Sequence, residues 1–348
     1  MRGFTGSMVA VLGAFAVLAP PAGASAAAAT LPGIAYLTAT STQDFVWIAN
    51  ADGKAAHRLG VGDGPLLAPN GGTVAASDPT GPHSLVLYST TGGASGQFFG
   101  PNVDAVPLAW SPDSRYLAVG LTGDGASVAG SGLAIIDRST GTAKVIAHGQ
   151  IGGASFAPGT SDEIVYAHTS STSLNAATNI FTASPTGAGI HAITHDGRSL
   201  NPVWGARGIA FDRETARRQD SPVYQIWTMR SNGTHRHQVT HSRPPVLAEG
   251  LVPVAWSADG TRLLAEYEQE DDGDLAYAVD TATSRVKQLL IDGRSVLAAG
   301  ISQSGRSVLV ESGGEEGPLS GHTVESVPFF GGDATALIRH AAQASWNL

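Results

Sequence analysis

The sequence predicts an all-β fold, a seven-bladed β-propeller of four-stranded antiparallel blades, and three observations carry this prediction. A cassette recurs along the chain about every 45 residues, a period typical of repeat architectures such as propellers. Its clearest copies, at 109–119 and 255–265, each read as an apolar strand, a tight turn and a second apolar strand. Glycine is abundant at 44 of 348 residues while charged residues make up only 14%, a composition typical of turn-rich β-proteins.

Charge and cysteine content exclude several classes of function. The formal net charge is −9 and no basic run offsets it, which argues against a general affinity for nucleic acid or anionic membranes. Because the chain has no cysteine, it has no disulfide, no thiol chemistry and no cysteine for lipid attachment. Its stability must therefore come from packing and strand pairing.

The first residues predict an export signal. Arg2 supplies a positive start, residues 8–19 are nearly all apolar, and two A-x-A patterns at 22–26 are typical of cleavage sites. The apolar run is shorter than the ~20 residues that a spanning helix needs, so no transmembrane domain is expected after cleavage. An uncleaved anchor is the alternative. We expect a secreted or extracytoplasmic protein with a signal peptide at 1–26, a linker at 27–32 and one propeller domain at 33–348.

Each repeat begins with a strand that ends in a large apolar residue. These residues are Leu67, Trp110, Phe156, Trp204, Trp256, Ile301 and Trp346. Turns such as 111–114 and 257–260 follow them, and their Pro, Asp and Gly residues favour a tight hairpin. The turn at 205–208 is shorter. Since tryptophan recurs about once per repeat, we interpret it as core packing between blades.

Three more strands complete each repeat. The second strands, which follow these turns, are predicted at 73–76, 116–120, 164–168, 209–212, 263–267 and 308–311. Third strands end in polar turns at 46–53 and 226–233, with weaker copies near residues 85, 133, 180, 275 and 323. Fourth strands are seen at 191–194 and 237–240. Four short strands per repeat, separated by turn signals, predict a propeller blade.

The two ends of the repeat region predict how the ring closes. Residues 33–38 read as a second strand, whereas residues 345–348 read as a first strand. We therefore expect the C-terminal strand to complete the sheet that the N-terminal strands begin. This closure removes two exposed sheet edges and ties down both termini.

The cassette resembles the TolB-like, or WD40-like, propeller repeat. That family pattern is a Trp-Ser-Pro-Asp-Gly turn, an apolar second strand, and a third strand ending in Asp-Gly before Leu-Thr. Its best copies are at 109–119, 202–212, 226–240 and 254–265, and the resemblance covers residues 33 to 348. Seven repeats are counted here, whereas the family's namesake looks six-bladed. The motif shapes the turns of a blade, so the resemblance implies the fold and leaves the function open.

The sequence holds no motif of a known catalytic machinery. It has no G-x-S-x-G elbow, no P-loop and no dinucleotide fingerprint after a strand. His191/His195 and His237/His241 have H-x-x-x-H spacing, but both pairs end outer strands. Residues four apart in an extended strand are separated by about 13 Å, too far for one metal ion to bridge. We therefore expect no metal site and no cofactor there.

Candidate binding residues fall in the loops that share one face of the predicted ring. The longest loops are predicted at 213–220 and 266–274, with another at 311–316. The candidates are His195, Asp196, Arg213, Arg217, Arg218, His241, Arg243, Glu268, Asp271 and Asp272. The acidic run at 268–274 offers oxygen ligands for Ca²⁺, and a solvated loop tip is the alternative interpretation. Pairing between the arginine-rich tip and this acidic tip is a further expectation.

Two functions stay open at this point. The first is a monomeric exported scaffold, in the cell envelope or outside the cell, that binds a protein, peptide or wall-associated ligand through its loop-rich face. The alternative is a hydrolase or lyase whose site, at the mouth of the central channel, takes His, Asp or Glu from several blades. Convergence of three or more such side chains would favour the enzyme, and a wide mixed-polar mouth would favour the binding module.

Overall fold

The computed structural model describes residues 33–123, 131–169, 176–218, 221–241, 248–269, 275–313 and 321–347. These residues form β-strands and turns, with no α-helix in the described ranges. It follows that none of them forms a helix able to span a membrane. The predicted signal peptide and linker, residues 1–32, lie outside the described ranges.

The strands, numbered in chain order, fall into four positions within each sheet. The inner strands are β4 (Asp63–Leu67), β8 (Val103–Trp110), β12 (Gln150–Phe156), β16 (Ser199–Gly205), β20 (Ala248–Trp256), β26 (Leu297–Ile301) and β30 (Ala342–Trp346). The second strands are β1 (Gly33–Ala39), β5 (Thr73–Ser77), β9 (Tyr116–Gly123), β13 (Ile164–Thr169), β17 (Gly208–Arg218), β21 (Arg262–Gln269) and β27 (Ser307–Ser312).

The third and fourth strands continue each sheet outward. The third strands are β2 (Asp44–Asn50), β6 (Leu85–Ser89), β10 (Gly132–Asp137), β14 (Thr178–Ala183), β18 (Ser221–Met229), β22 (Leu275–Asp280) and β28 (Thr323–Pro328). The fourth strands are β3 (His57–Val61), β7 (Ala94–Phe98), β11 (Thr142–His148), β15 (His191–Ala192), β19 (His237–Gln238), β23 (Arg285–Gln288) and β29 (Thr335–Arg339). A separate hairpin is formed by β24 (Leu290–Ile291) and β25 (Arg294–Ser295).

Strand pairing within the sheets follows the predicted blade pattern. Four-stranded antiparallel sheets are formed by β3-β2-β1-β30, β4-β5-β6-β7, β8-β9-β10-β11, β12-β13-β14-β15 and β26-β27-β28-β29. The strands β16–β19 and β20–β23 form two further sets, joined into one sheet by a parallel pair between Tyr224 and Gly250. The all-β propeller prediction is confirmed.

The inner strands succeed one another around the ring. Each inner strand contacts the next one in the order β30, β4, β8, β12, β16, β20 and β26, and β26 in turn contacts β30. Apolar clusters fill the space between neighbouring sheets; one of them joins Ile34 and Ala49 to Leu309 and Val324. The count of seven blades stays a prediction, which this closed succession supports.

The C-terminal strand completes the sheet that begins at the N-terminal end of the domain. β30 pairs with β1, placing Trp346 opposite Ile34. The side-chain Oδ1 of Asn347 accepts a hydrogen bond from the Gly33 N–H at 2.8 Å. On the other side, Ser345 Oγ accepts a hydrogen bond from the Leu67 N–H at 2.9 Å. The closing strand is therefore fastened both within its own sheet and to the next one.

The polar residues of the repeat satisfy the backbone of the inner turn. Ser257 Oγ donates to Asp259 Oδ1 at 2.7 Å and accepts from the Arg262 N–H at 3.0 Å. Asp259 Oδ1 also accepts from the Thr261 N–H at 3.0 Å. Equivalent bonds recur in the copy at 111–116. Since these side chains bond backbone groups of their own turn, the motif shapes that turn.

Two strands extend further than the sequence predicted. The segment 213–220 was expected to be a loop, but β17 continues to Arg218 and β18 begins at Ser221. Arg213 pairs with Gln225, and Arg217 pairs with Pro222. Likewise β21 extends to Gln269 within the predicted loop at 266–274. In both cases backbone pairing continues beyond the last core residue, where apolar alternation no longer marks a strand.

Candidate functional site

The two faces of the ring differ in the connections they carry. Antiparallel pairing places the ends of the second strands and the starts of the inner strands at the same face, which we call the loop face. It carries connections such as 40–43 and 195–198. The tight turns, such as 257–260, lie at the opposite face, which we call the turn face. Every candidate binding residue in the described ranges belongs to the loop face.

A cavity of about 750 Å³ opens at the loop-face end of the inner strands β8, β12 and β16. This volume lies within the range of ordinary ligand pockets. The described residues that line it are Val106, Leu108, Gly120, Leu121, Thr122, Ser131, Gln150, Ile151, Gly152, Thr169, Ala176, Thr178, Leu200 and Tyr224. None of these lining residues carries a charge. We call this space the channel-mouth cavity.

Aliphatic side chains form much of the wall of the channel-mouth cavity. Val106 is 50% exposed although it belongs to an inner strand. Leu108, Ile151 and Leu200 are half-buried. The polar part of the wall consists of hydroxyl groups and the amide of Gln150. The cavity therefore offers apolar contact together with uncharged hydrogen-bonding groups.

Irregular inner strands shape this cavity. The pairing of β8 shifts register between Pro107 and Ala109. That of β12 shifts between Ile151 and Ala154. A bulge breaks the alternation of side chains along a strand and re-aims them locally. Here the shifts fall beside Leu108 and Ile151, both of which line the channel-mouth cavity.

Asp196 and Arg213, two of the predicted binding residues, bond to each other. Arg213 Nε lies 2.9 Å from Asp196 Oδ2, and its guanidinium stacks over the ring of Trp227 at 4.9 Å from the centroid. Asp196 also accepts a hydrogen bond from Ser199 Oγ at 2.9 Å. Burial acts to raise the pKa of Asp196, but the bonds from Arg213 and Ser199 outweigh it and leave the pKa lowered. This pair fastens the 195–198 connection to β17.

Arg217 and Arg218 lie on the extended end of β17. Arg217 Nε bonds Glu214 Oε1 at 2.8 Å, within the same strand. The side chain of Arg218 lies outside the described part of the chain. The predicted pairing of the arginine-rich tip with the acidic tip stays a prediction, because residues 270–274 are not among the described residues.

His195 and His241 occupy equivalent exposed positions on the loop face. Each follows a buried threonine, and Thr194 and Thr240 accept hydrogen bonds from the N–H groups of Ile180 and Ile226 at 2.8 and 2.9 Å. Beyond the two-residue strands β15 and β19, the hydroxyl groups of these threonines take the place of further backbone pairing. Within the described ranges, no group of three or more His, Asp or Glu side chains is placed to hold a metal ion.

The side chains of the remaining predicted candidates lie outside the described part of the chain. Arg243, Asp271 and Asp272 are not among the described residues, and Glu268 is described only as part of β21. The calcium hypothesis for 268–274 therefore stays a prediction.

Sequence reasoning missed the channel-mouth cavity itself. Its wall comes from the segments 106–108, 150–152 and 200, which are far apart in the chain. One local signal was present, because Val106 and Leu108 are apolar residues spaced two apart on a strand that also carries a buried apolar set. Such a strand has apolar residues on both of its faces, and Val106 and Leu108 are the ones that line the cavity.

Comparisons with known proteins place the fold. No family model matches the chain, and no curated protein matches it. Among solved structures, TolB from Acinetobacter baumannii aligns with a TM-score of 0.54 and 16% identity, over 91% of this chain and 66% of that chain. The chain has a TolB-like β-propeller fold. At this low identity the likeness shows the fold alone.

Two other structural neighbours of this TolB-like propeller are enzymes. An oligogalacturonate lyase in complex with manganese aligns with a TM-score of 0.54 and 15% identity, over 88% of this chain and 84% of the lyase. A puromycin-hydrolyzing peptidase of Mycobacterium tuberculosis aligns with a TM-score of 0.59 and 14% identity, over 91% of this chain. The chain spans 55% of the peptidase's length and just under two thirds of the length of TolB.

Proposed function

We propose that the chain is an exported binding module that holds an uncharged, partly aliphatic segment of a protein or peptide partner in the channel-mouth cavity. The observation that carries the proposal is the cavity wall, in which exposed Val106 lies among side chains that, within the described residues, are all uncharged. Burying apolar surface in such a cavity contributes about 25 cal/mol per Å². The surrounding hydroxyl and amide groups supply hydrogen bonds for a peptide backbone.

The cellular setting is part of the same proposal. The predicted signal peptide at 1–26 directs the chain out of the cytoplasm, and a partner in the cell envelope or outside the cell fits that route. We propose that the exported chain acts as a monomer, with the loop face free to meet its partner.

The alternative is a hydrolase or lyase with a site at the channel mouth. Two structural neighbours that share this fold are enzymes, which is the reason for considering this class. General acid–base catalysis needs a titratable group within hydrogen-bond reach of the reacting atoms. In the described wall of the channel-mouth cavity Tyr224 is the one titratable side chain, and no carboxylate, histidine or lysine is present there, which supports the binding module over the enzyme.

The test replaces Val106 by aspartate and compares it with an equally simple change elsewhere. Val106→Asp places a charge in the apolar wall of the cavity. Val145→Asp is the matched control, because Val145 is also an exposed valine, at 37%, on the fourth strand β11. Partners captured from cell-envelope extract by the mature chain are purified, and their affinities for each variant are measured by calorimetry.

We expect Val106→Asp to lower the affinity for the partner at least about tenfold, or 1.4 kcal/mol, and Val145→Asp to bind the partner as the wild type does. Equal binding by both variants would show that the channel-mouth cavity is not the site. Turnover of a captured partner by the wild-type chain, abolished by Val106→Asp, would establish the enzyme alternative instead.

A further inference from the structure

A carboxylate occupies a third-strand position that is apolar in every other sheet. Glu325 pairs across the strands with Val310, the fourth residue of β27. The same pairing in the other sheets gives Trp47, Val86, Ala134, Phe181, Trp227 and Tyr277. These side chains help to fill the space between neighbouring sheets. Glu325 therefore breaks the repeat at a position where the fold itself asks for an apolar group.

The Glu325 carboxylate has one oxygen atom without a partner among the described residues. Its Oε2 atom is buried and has no hydrogen-bond partner among the described residues. Leaving a charged oxygen buried and unpaired is costly, so such groups in native proteins usually meet a donor. Glu325 also lines a cavity, in which a ligand could donate a hydrogen bond to its carboxylate.

A second break in the repeat lies beside the first. The connection from β23 to β26 carries the added hairpin β24–β25, whereas the other fully described connections of this kind form no hairpin. A cavity of about 620 Å³ lies between this hairpin and the loop-face end of the β27–β28 hairpin. Its polar wall consists of Asp292, Arg294, Ser295, Ser312 and Glu325. We call it the hairpin cavity.

Opposite charges face the hairpin cavity without bonding to each other. Arg294 is exposed on β25, and no ion pair joins it to Glu325 or to another described residue. A guanidinium and a carboxylate that share a cavity but leave a gap can be bridged by a ligand with both charges. The guanidinium binds a carboxylate through two parallel hydrogen bonds, and an ammonium group donates to a carboxylate.

We propose that the hairpin cavity binds a small zwitterion, a free α-amino acid or a short peptide with both ends free. The ligand's ammonium group bonds Glu325, and its carboxylate bonds Arg294. Asp292, exposed at the turn of the β24–β25 hairpin, adds a second negative charge to the wall. Ligands with acidic side chains are therefore disfavoured. This site is separate from the channel-mouth cavity and does not depend on the function proposed for it.

The experiment is calorimetric titration of the chain with glycine, L-alanine, L-lysine, L-glutamate and Ala-Ala. N-acetyl-L-alanine and L-alaninamide each lack one of the two charges and serve as chemical controls. The variants are Glu325→Gln and Arg294→Gln. Matched control variants are Asp333→Asn and Arg306→Gln, which change exposed charges near the turn face. Val106→Asp is titrated alongside them, and folding of every variant is checked by its melting transition.

We expect at least one free zwitterion to bind, and L-glutamate to bind more weakly than L-lysine. Blocking either end, or introducing Glu325→Gln or Arg294→Gln, should weaken binding at least about tenfold, since each removes a charge-assisted hydrogen bond. Asp333→Asn, Arg306→Gln and Val106→Asp should leave it unchanged. The proposal is overturned if no zwitterion binds below about 10 mM, a free energy near 3 kcal/mol. It is also overturned if blocked ligands bind equally or if the two cavity variants bind as the controls do.

Discussion

Glu311 Oε1 in β27 accepts a hydrogen bond at 2.6 Å from the backbone N–H of Ala344 in the closing strand β30. The N–H of Gln343 donates to the same carboxylate. Glu266 holds the equivalent position in β21, and its Oε1 accepts from the Ala298 N–H at 3.1 Å. One position of the second strand thus fastens the inner strand of the following sheet, and at Glu311 that strand is the one that closes the ring.

Glu311→Ala is expected to destabilise the protein. The variant removes the acceptor of two backbone N–H groups, and an unsatisfied buried donor costs about 1–3 kcal/mol. The free energy of unfolding, measured in urea, should therefore fall by at least about 1 kcal/mol. Glu311→Gln retains a side-chain oxygen and is the control, because it should keep most of that stability. An alanine variant as stable as the glutamine variant would contradict this role.

The same residue makes stability depend on pH. Burial raises the pKa of Glu311 and outweighs the hydrogen bonds from Ala344 and Gln343 and the charge of His322, which lower it. A carboxyl whose pKa is higher in the folded than in the unfolded state binds its proton more tightly when folded. Its favourable contribution is therefore complete below its ordinary pKa of 4.5 and is lost as pH rises through the folded-state pKa.

Melting temperatures of the wild type and Glu311→Gln, measured from about pH 4 to pH 8, test this pH dependence. The wild type should lose stability relative to the glutamine variant as pH increases. Parallel profiles over this range would show that Glu311 does not titrate differently in the folded and unfolded protein.

Trp110 provides a test of the bond between neighbouring sheets. Its Nε1 donates to the carbonyl of Leu66 at 3.0 Å, and Leu66 precedes the residue equivalent to Trp110 in the preceding sheet. Trp256 bonds Val203 in the same way. Replacing Trp110 by alanine should cost about 3–5 kcal/mol, because it removes a buried aromatic side chain. Chemical denaturation measures the loss.

Trp110→Phe separates packing from hydrogen bonding at this position. Phenylalanine keeps an aromatic ring but cannot donate to Leu66. An intermediate stability is expected, because the phenylalanine variant keeps part of the packing that alanine loses. If phenylalanine and alanine were equally destabilising, the contribution of the ring to packing would be refuted.

Gly205 tests a close approach between two sheets. A Cβ at this position would lie 2.6 Å from Trp256 Cγ, well inside contact distance. Gly205→Ala should therefore destabilise the fold by about 1–3 kcal/mol through overpacking. Gly100→Ala is the matched control, since no atom lies within 4 Å of its added Cβ and the change should be nearly neutral. Equal thermal stability of the two variants would refute the clash.

Removal of residues 341–348 tests ring closure. This truncation deletes β30, exposes the edge of β1 and leaves the Glu311 carboxylate without its partners. We expect the truncated protein either to lose its cooperative melting transition, which calorimetry measures, or to aggregate, which light scattering detects. Removal of Leu348 alone is the control and should leave the transition intact. A cooperative, unchanged melt of the longer truncation would show that β30 is dispensable.

Local patterns in the sequence predicted the blades because the blades are built from local signals. Residues such as Leu67, Trp110 and Ile301, identified as the ends of first strands, do end the inner strands β4, β8 and β26. The extension of β17 past Asp212 escaped prediction, because a strand that projects into solvent needs no apolar alternation. The two cavities escaped it as well, because their walls are assembled from distant segments and depend on tertiary packing.

The bond between Gly33 and Asn347 joins residues 314 positions apart. Contacts of such long range carry the largest loop-closure entropy and form late, so topology makes the closing sheet a slow element of folding. During synthesis, the strands from β1 onward become available long before β30 does. The ring therefore stays an open arc with exposed edges until the last residues arrive.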